Sequence, residues 1–390
     1  MNAVAALLVA ASLAACGAAQ QKPPAPVVIP PIARVHFEDD FGLIFVTASV
    51  AGSPRWLLLD SGADQTLLDR GVADELKLAV HDKSSSAQPG GAISIAHATD
   101  VEMFVGGVPF HPHDVWVTPL HPLERFVGRK IDGILGYELL ERYVVTIDYA
   151  AQELAFYDPQ HAPTAGDATD LRIVDREALV DVVLHDRSKA VAATLKVDTG
   201  SMDALGLTAQ FVADNHLFDG VPKLARPGIG LGGSTQGELV RLSSIHIGSL
   251  TLRPLAVGYN DDGTKRAYAG TIGAELLQQF TVTFDYPHHL LRLGARERPP
   301  SLSVDGSGLV IATFADDLTR CSVLAIVAGS PAANAGIETG DEIVEINGTP
   351  FSELGLATLW SLLRQQGTVR LTVRHAGADR VVGVALRPLV

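Results

Sequence analysis

The stretches Leu58-Leu59-Asp60-Ser61-Gly62-Ala63 and Lys196-Val197-Asp198-Thr199-Gly200-Ser201 decide the fold that this chain of 390 residues is expected to adopt. In each stretch an apolar run of the kind found in buried strands leads into an aspartate, a hydroxyl residue and a glycine. The two aspartates lie 138 positions apart. A single Asp-Ser/Thr-Gly triplet is common in turns and says little about the fold. Its occurrence twice in one chain is the informative feature.

A second pair of segments repeats at nearly the same spacing. Residues 136–149 and 273–286 are identical at eight of their fourteen aligned positions. Units of solenoid proteins are about 20–45 residues long, which is far shorter than this repeat. We therefore predict a duplicated domain whose two copies face each other.

The composition favours strands over helices. Most of the 37 glycines lie between short runs of Val, Ile and Leu, as in strands joined by tight turns. Apolar residues make up 47% of the chain, which is enough to bury large sheets. The predicted fold class is mostly β, with two lobes built from the duplication.

Each repeated triplet has chemical consequences. A carboxylate at a strand end is held rigidly, and the glycine lets backbone amides reach its oxygens. The hydroxyls of Ser61 and Thr199 can form hydrogen bonds across the interface between the copies. If the loops face each other, Asp60 and Asp198 cannot both ionise, so one supplies an acid and the other a base. The sequence does not say which of the two carries the proton.

These triplets resemble the catalytic signature of the aspartic peptidases of the pepsin and retropepsin type. The elements Ile134-Leu135-Gly136 and Thr271-Ile272-Gly273 also resemble the family, in which such an element packs beneath the catalytic loop. The resemblance implies a two-lobed β-barrel fold in which Asp60 and Asp198 activate water and no metal or cofactor is needed. The substrate would be a peptide or an unfolded protein. The residues implied to support the catalytic loops are Ser61, Gly62, Ala63, Thr199, Gly200 and Ser201.

A glycine-rich segment follows each triplet and is a candidate flap, a hairpin that closes on substrate. The second segment resembles a retropepsin flap, and a plain hairpin turn is the alternative for both. The first segment lacks the tyrosine of the pepsin flap. The candidate flap residues are Gly90, Gly91 and Ile93 in the first copy and Gly230, Gly232 and Gly233 in the second.

The residue after each glycine differs between the copies. As a hypothesis, Ser201 donates a hydrogen bond that favours an ionised pair, whereas Ala63 cannot. This difference predicts an optimum pH that is less acidic than that of pepsin.

The last part of the chain resembles a bacterial PDZ domain. The resemblance rests on Ser330-Pro331-Ala332 with Ala335-Gly336-Ile337, and on Gly340-Asp341 with Ile346-Asn347-Gly348. It implies a small α+β domain that binds a peptide C-terminus or an added β-strand. The implied carboxylate-binding loop consists of Gly308, Leu309 and Val310. A domain that only supports the lobes is the alternative.

Several other functions are excluded or disfavoured by the sequence. The net charge of −14 argues against nucleic acid, whose phosphates would be repelled. No Gly-x-Ser-x-Gly motif is present, which disfavours a serine hydrolase of that kind. The close histidines at 111, 113, 288 and 289 are expected to be loop residues, so no metal site is predicted.

The N-terminus predicts export. Residues 3–15 are typical of a signal peptide, and Leu13-Ala14-Ala15-Cys16 resembles the lipobox of bacterial lipoproteins, in which the cysteine is lipidated. An ordinary signal peptide is the alternative. We expect a periplasmic protein that meets a membrane only through a lipid on Cys16. The predicted segments are a signal (1–16), a proline-rich tether (17–33), lobe 1 (34–157), a linker (158–170), lobe 2 (171–295), a linker (296–304) and a PDZ-like domain (305–390).

Together these features predict an aspartic endopeptidase with Asp60 and Asp198 as its catalytic pair. The alternative is a non-catalytic peptide-binding protein in which the pair is vestigial. A dimeric or partner-regulated peptidase, with the PDZ-like domain as a substrate sensor, is a third possibility.

Overall fold

A computed structural model describes residues 29–88, 90–187, 189–226, 228–230, 232–253, 255–261, 266–302 and 304–389. The predicted signal peptide, Cys16 and most of the tether lie outside these ranges. The described part is mostly β, as predicted. Within it, no helix is both long and apolar enough to cross a membrane.

The described residues of the first lobe form thirteen strands and three short helices. The strands are β1 (Ala33–His36), β2 (Glu38–Asp40), β3 (Leu43–Val50), β4 (Ser53–Leu59), β5 (Leu67–Asp69), β6 (Val80–Gln88), β7 (Gly91–Thr99), β8 (Met103–Val105), β9 (Val108–Phe110), β10 (Asp114–Thr118), β11 (Gly133–Leu135), β12 (Val144–Asp148) and β13 (Glu153–Tyr157). The helices are α1 (Arg70–Glu75), α2 (His121–Val127) and α3 (Tyr137–Arg142).

The second lobe contains fourteen strands and two short helices in its described residues. The strands are β14 (Asp167–Asp170), β15 (Arg172–Val174), β16 (Glu177–Asp186), β17 (Lys189–Val197), β18 (Leu205–Thr208), β19 (Leu224–Ala225), β20 (Gly228–Gly230), β21 (Gly233–Leu242), β22 (Ser244–Ile247), β23 (Leu250–Leu252), β24 (Leu255–Asp261), β25 (Gly270–Ile272), β26 (Phe280–Asp285) and β27 (Leu290–Ala295). The helices are α4 (Ala209–Asp214) and α5 (Ala274–Leu277).

The main sheets of the two lobes have the same strand order. The order is β7-β10-β5-β11-β4-β3-β8-β9 in the first lobe and β21-β24-β18-β25-β17-β16-β22-β23 in the second. Each strand in the first series has its duplicate at the same place in the second. This correspondence confirms the duplication that the sequence predicts.

A third sheet joins the lobes, with the order β1-β13-β12-β26-β27-β14. Its central pair is antiparallel β12 and β26, which are themselves duplicates of each other. The hydroxyls of Thr146 and Thr283 lie 2.8 Å apart across this pair. The two lobes are therefore related by an approximate two-fold axis that passes through one shared sheet.

The strand that leads to each aspartate has two buried faces. Leu195 and Val197 of β17 lie in the large core of the lobes, and the alternation of side chains turns Lys196 to the opposite face. In β4 of the first lobe, Leu57 and Leu59 lie in that core, whereas Leu58 joins a separate apolar cluster. Equivalent strands thus present different residues, Leu58 and Lys196, on the same face.

The predicted connecting segments are partly structured. Strand β1 begins at Ala33, inside the predicted tether, and β14 occupies Asp167–Asp170, inside the predicted linker of residues 158–170. Both lie at edges of the shared sheet, where β1 pairs with β13 and β14 pairs with β27. Pairing at an edge satisfies backbone groups even where the side chains are polar, which is why composition alone suggested linkers.

The C-terminal domain has its own sheet, helices and apolar core. Its strands are β28 (Leu309–Thr313), β29 (Cys321–Ile326), β30 (Glu342–Ile346), β31 (Thr349–Pro350), β32 (Gly367–His375) and β33 (Ala378–Leu386), and its helices are α6 (Pro331–Asn334) and α7 (Phe351–Leu363).

This C-terminal domain packs against both lobes. Thr313 donates a hydrogen bond to the backbone carbonyl of Arg125 in α2, and Trp360 packs edge-on against Phe41. Arg364 forms an ion pair of 3.6 Å with Glu275 of the second lobe. The domain is therefore in direct contact with the body that carries the two aspartates.

Candidate active site

Each aspartate lies in a loop that connects two strands which are not adjacent in the sheet. Strand β11 lies between β4 and β5, and β25 lies between β17 and β18. The backbone amide of Asp60 donates to the carbonyl of Leu135 at 3.0 Å, and that of Asp198 donates to Ile272 at 2.9 Å. The two apolar-Gly elements singled out in the sequence therefore lie directly against the aspartate loops.

Hydroxyl groups lock the two loops together across the lobes. Ser61 Oγ donates to the carbonyl of Val197 at 2.9 Å, and Thr199 Oγ1 donates to that of Leu59 at 2.8 Å. Each hydroxyl also accepts from the other residue's amide, at 2.9 Å for the Ser61 amide and 3.1 Å for the Thr199 amide. Four buried hydrogen bonds thus fix one loop relative to the other.

The glycines bring the carboxyls together. The amide of Gly62 donates to Asp60 Oδ1 at 2.8 Å, and that of Gly200 donates to Asp198 Oδ1 at 2.9 Å. A Cβ atom on Gly62 would lie 2.2 Å from Cγ of Asp198, and one on Gly200 would lie 2.3 Å from Cγ of Asp60. Each glycine is therefore packed against the carboxyl of the opposite lobe, where no side chain fits.

The carboxyls of Asp60 and Asp198 form a hydrogen bond with each other. Burial raises the pKa of Asp60 to about 8, the neighbouring Asp198 acts in the same direction, and Lys196 opposes the shift. Two carboxyls in contact in a buried site share one proton over a wide pH range. The pair can therefore offer one proton donor and one proton acceptor at neutral pH.

Lys196 is a site residue that the sequence reasoning missed. Its Nζ lies 3.5 Å from Asp198 Oδ2 and donates to the carbonyl of Gly62 at 3.0 Å. Burial alone would lower the pKa of Lys196, but attraction to acidic groups, Asp198 above all, raises it overall. The signal was present in the sequence, since a lysine interrupts the apolar run before Asp198 where the first copy has Leu58.

Tyr286 is a second residue that was missed. Its hydroxyl donates to the carbonyl of Ser61 at 3.4 Å, and its ring packs against that of Tyr137. Burial raises the pKa of Tyr286, as do the nearby carboxyls. It therefore stays a neutral donor under the loop of the first lobe. Its duplicate, Tyr149, was visible in the sequence repeat.

The residues after the two glycines form backbone hydrogen bonds that close the turns at the aspartates. Ala63 and Ser201 donate from their amides to the carbonyls of Asp60 and Asp198, at 3.2 and 3.4 Å. The Ser201 hydroxyl makes no hydrogen bond to any residue that the structure describes, and its Oγ lies 3.0 Å from where a Cβ on Gly273 would stand. The structure thus differs from the hypothesis that Ser201 favours the ionised pair by a hydrogen bond.

Both candidate flaps are hairpin tips, and the two tips meet. In hairpin β6–β7, Gly90 lies in the turn and Gly91 begins β7 opposite Gln88, and hairpin β20–β21 brings Gly230 opposite Gly233. A Cβ on Gly90 would lie 2.4 Å from the carbonyl oxygen of Gly233, and one on Gly232 would lie 2.3 Å from that of Gly91. Hairpins from both lobes therefore touch through backbone that only glycine allows.

The remaining candidate flap residue lies in a strand beside the tip. Ile93 belongs to β7 and pairs with Ser86 of β6. It is partly buried, unlike the exposed Gly91 at the start of the same strand. Ile93 thus belongs to the arm of the hairpin.

Replacing Gly90 by Ala is expected to separate the hairpin tips. Its φ of 89° is strained for alanine, and the added carbon would overlap Gly233. We expect destabilisation by about 1–3 kcal/mol in chemical denaturation and faster hydrogen exchange at both tips. Gly107→Ala is the matched control, because Gly107 has a φ of 82° and nothing within 4 Å of the added carbon. Equal effects of the two substitutions would contradict the tip contact.

The predicted carboxylate-binding loop of the C-terminal domain is already hydrogen bonded. The amide of Gly308 donates to Asp305 Oδ2 at 3.2 Å, and that of Leu309 donates to Ser307 Oγ at 3.1 Å. Burial raises the pKa of Asp305, and hydrogen bonds from Ser307 and Gly308 act against that shift. Side chains of the chain itself thus take donors that were expected to face a peptide carboxylate. Val310, the third predicted residue, pairs with Ala325 in the sheet.

A cavity of about 110 Å³ lies between this domain and the lobes. Side chains from all three parts line it, among them Phe41, Met202, Arg226, Val310 and Trp360. Met202 directly follows Ser201 in the second aspartate loop. The start of β28 in the C-terminal domain therefore lines a cavity that it shares with the second aspartate loop.

The histidines give no sign of a metal centre. His111 and His113 line a polar cavity together with Arg142 and Arg176. Among the described residues, no group of three or more His, Cys, Asp or Glu side chains is placed to hold a metal ion.

Two segments of the chain match known families. No curated protein matches it. Residues 46–139, which include the Asp60 loop and α2, match the aspartyl protease family, and residues 322–375 match the PDZ domain family. The second lobe repeats the topology of the first. The chain therefore combines an aspartyl-protease-type fold with a C-terminal PDZ domain.

Proposed function

We propose that this protein is an aspartic endopeptidase that hydrolyses peptide bonds with a water molecule activated between Asp60 and Asp198. One observation carries the proposal. Mirrored loops from two lobes hold the two carboxyls in hydrogen-bonding contact, and burial together with the neighbouring Asp198 raises the pKa of Asp60 to about 8. The match to aspartyl proteases over residues 46–139 supports the same reaction class.

The chemistry follows from that shared proton. The ionised carboxyl accepts a proton from water, and the water oxygen forms a bond to the carbonyl carbon of the scissile amide. The protonated carboxyl donates a hydrogen bond to the carbonyl oxygen, where negative charge develops. Transfer of a proton to the amide nitrogen then lets the C–N bond break, which releases an amine and a carboxylic acid. No covalent intermediate with the protein is required.

The hairpins from the two lobes are proposed to act as paired flaps. Their glycine tips are in contact, so an extended peptide can enter only after the tips separate. Closure over a bound peptide would exclude bulk water and strengthen electrostatic interactions at the carboxyls. Substrates would be unfolded segments, because a folded surface cannot pass between the tips.

The PDZ domain supports binding of a peptide or a protein partner. We propose that the partner adds a strand to β28, which lies at one edge of its sheet. Capture of a C-terminal carboxylate would require Asp305 and Ser307 to release the amides of Gly308 and Leu309. The contact of Thr313 with Arg125 favours a second role as a support for the lobes.

We also propose that the protein is exported and anchored by a lipid on Cys16. The apolar residues 3–15 and the proline-rich segment after Cys16 support a membrane anchor followed by a spacer. Fatty-acid labelling of the cells that make the protein tests this. A label that persists in Cys16→Ser would rule out this anchor.

Digestion of a peptide library, followed by mass spectrometry, tests the proposed activity. We expect internal cleavage of unstructured peptides that continues in a metal chelator and after treatment with serine- and cysteine-directed acylating or alkylating reagents. Loss of cleavage in the chelator would contradict the proposal. Saturable binding of peptides without any cleavage would favour the non-catalytic alternative.

A further inference from the structure

We propose that Lys196 breaks the symmetry of the aspartate pair by holding Asp198 as the carboxylate and leaving the shared proton on Asp60. This inference rests on the proposed hydrolytic function and assigns separate roles to the two carboxyls. Lys196 acts through Asp198 and does not need to touch the substrate. It is therefore a positioning residue for the reaction.

The position of the lysine is fixed by both lobes. Its side chain, 13% exposed, rises from β17 of the second lobe, and Nζ donates to the carbonyl of Gly62 in the first lobe at 3.0 Å. The same nitrogen lies 3.5 Å from Asp198 Oδ2. A hydrogen bond to a backbone carbonyl on the opposite loop orients the cation. Its distance to Asp198 is thus set by the fold.

The duplication makes the asymmetry plain. The residue two positions before Asp198 is Lys196, and the residue two positions before Asp60 is Leu58. Leu58 is 4% exposed and packs in an apolar cluster that includes Leu43 and Phe45. The same structural position therefore delivers a positive charge to one carboxyl and a hydrocarbon side chain to the other.

Other charged and titratable groups also face the lysine. Glu177 Oε1 lies 3.6 Å from Nζ and accepts a hydrogen bond from Tyr268, whose ring lies 5.8 Å from Nζ. Asp64 also interacts with the lysine, Tyr286 interacts with both aspartates, and Arg266 lies over the ring of Tyr268. Because carboxylates surround Lys196, it stays protonated while the aspartates titrate.

The positive charge of Lys196 makes the protons of the pair easier to remove. A cation close to Asp198 favours its ionised form, and it also opposes the raised pKa of Asp60. Asp198 then serves as the base that takes the proton of water, and Asp60 serves as the acid at the carbonyl oxygen. Removal of the positive charge makes both protons of the pair harder to remove.

The test compares Lys196→Met, Lys196→Arg and the wild type in the full chain. For Lys196→Met we expect both limbs of the pH profile of kcat/KM to move upward by about one pH unit or more. For Lys196→Arg, which keeps the charge, we expect limbs close to those of the wild type. Leu58→Met places the same side chain at the duplicate position and controls for packing. The limbs of its pH profile should therefore not move.

A second readout separates this proposal from the proposed function. Titration of ¹³C-labelled aspartate carboxyls by NMR measures proton release without any substrate. An upward shift of the aspartate titration curves in Lys196→Met supports the role of the lysine even if no peptide is cleaved. In that case only the proposed hydrolytic function fails. Titration curves of Lys196→Met that superimpose on those of the wild type would overturn the inference.

Discussion

Replacing either Asp60 or Asp198 by Asn is expected to lower kcat/KM for peptide hydrolysis by about four orders of magnitude or more. Asparagine keeps the size of the side chain and can still accept a hydrogen bond from Gly62 or Gly200 at the same atom. It cannot take up or release the proton that the reaction moves. The two substitutions should not be additive, because the carboxyls act as one unit.

Asp132→Asn is the matched control for both substitutions. Its carboxylate accepts a hydrogen bond from the amide of Trp56 at 2.9 Å, next to strand β4 and away from the pair. We expect its kcat/KM to stay within a few-fold of the wild type, since an amide oxygen can accept the same bond. Thermal melting checks that all three variants fold. A folded Asp60→Asn protein with wild-type activity would remove Asp60 from the mechanism.

The second large effect is expected from Gly62→Ala and Gly200→Ala. Each added carbon would lie within 2.4 Å of the carboxyl of the opposite lobe. Neither that carboxyl nor the loop, held by four hydroxyl hydrogen bonds, can move away without breaking the site. A displacement of about 1 Å at reacting groups is enough to cost 100-fold in rate. We therefore expect kcat/KM to fall by at least about 100-fold.

Gly206→Ala provides the comparison for these two glycines. Gly206 lies in β18, just beyond the second aspartate loop, and a Cβ there meets nothing within 4 Å. Its activity should be near that of the wild type. Gly62→Ala activity as high as that of Gly206→Ala would show that the carboxyls are not in contact in solution. Stability in chemical denaturant distinguishes a damaged site from an unfolded protein.

The sequence was sufficient to predict the parts that repeat. The two aspartate triplets and the segment at 136–149 define the duplication, and two copies of one domain imply matching sheets that pair across an axis. The prediction of carboxyls in contact follows from the same symmetry. The C-terminal motifs likewise predicted an independent PDZ-like domain. These features depend on local patterns that each lobe or domain carries within itself.

Features that depend on contacts between distant segments could not be predicted in this way. The approach of Gly90 to Gly233 joins two hairpins from different lobes, and no local pattern sets their separation. The role of Asp305 as an acceptor for Gly308 depends on the loop conformation. The sequence around Lys196 predicts a buried strand, but a strand pattern does not say what lies opposite its single polar residue.

The edges of the shared sheet illustrate the same limit. Residues 167–170 are polar and follow a stretch rich in turn-forming residues, so composition indicated a linker. In the structure these residues pair with β27 through backbone groups. Edge strands formed by backbone pairing leave little trace in the side-chain pattern. The boundaries between the lobes were therefore the least predictable part of the fold.

The most direct test of the central claim is the pH dependence of kcat/KM for one cleaved peptide. The reaction needs Asp60 with its proton and Asp198 without one, and burial beside Asp198 raises the pKa of Asp60 to about 8. Because the reaction also needs one ionised carboxyl in the pair, activity should fall at acid pH. It should also fall by about tenfold per pH unit above the pKa of Asp60, as that proton is lost. A bell-shaped profile that loses activity above about pH 8 is the predicted result, and activity that keeps rising through pH 9 would contradict the shared proton.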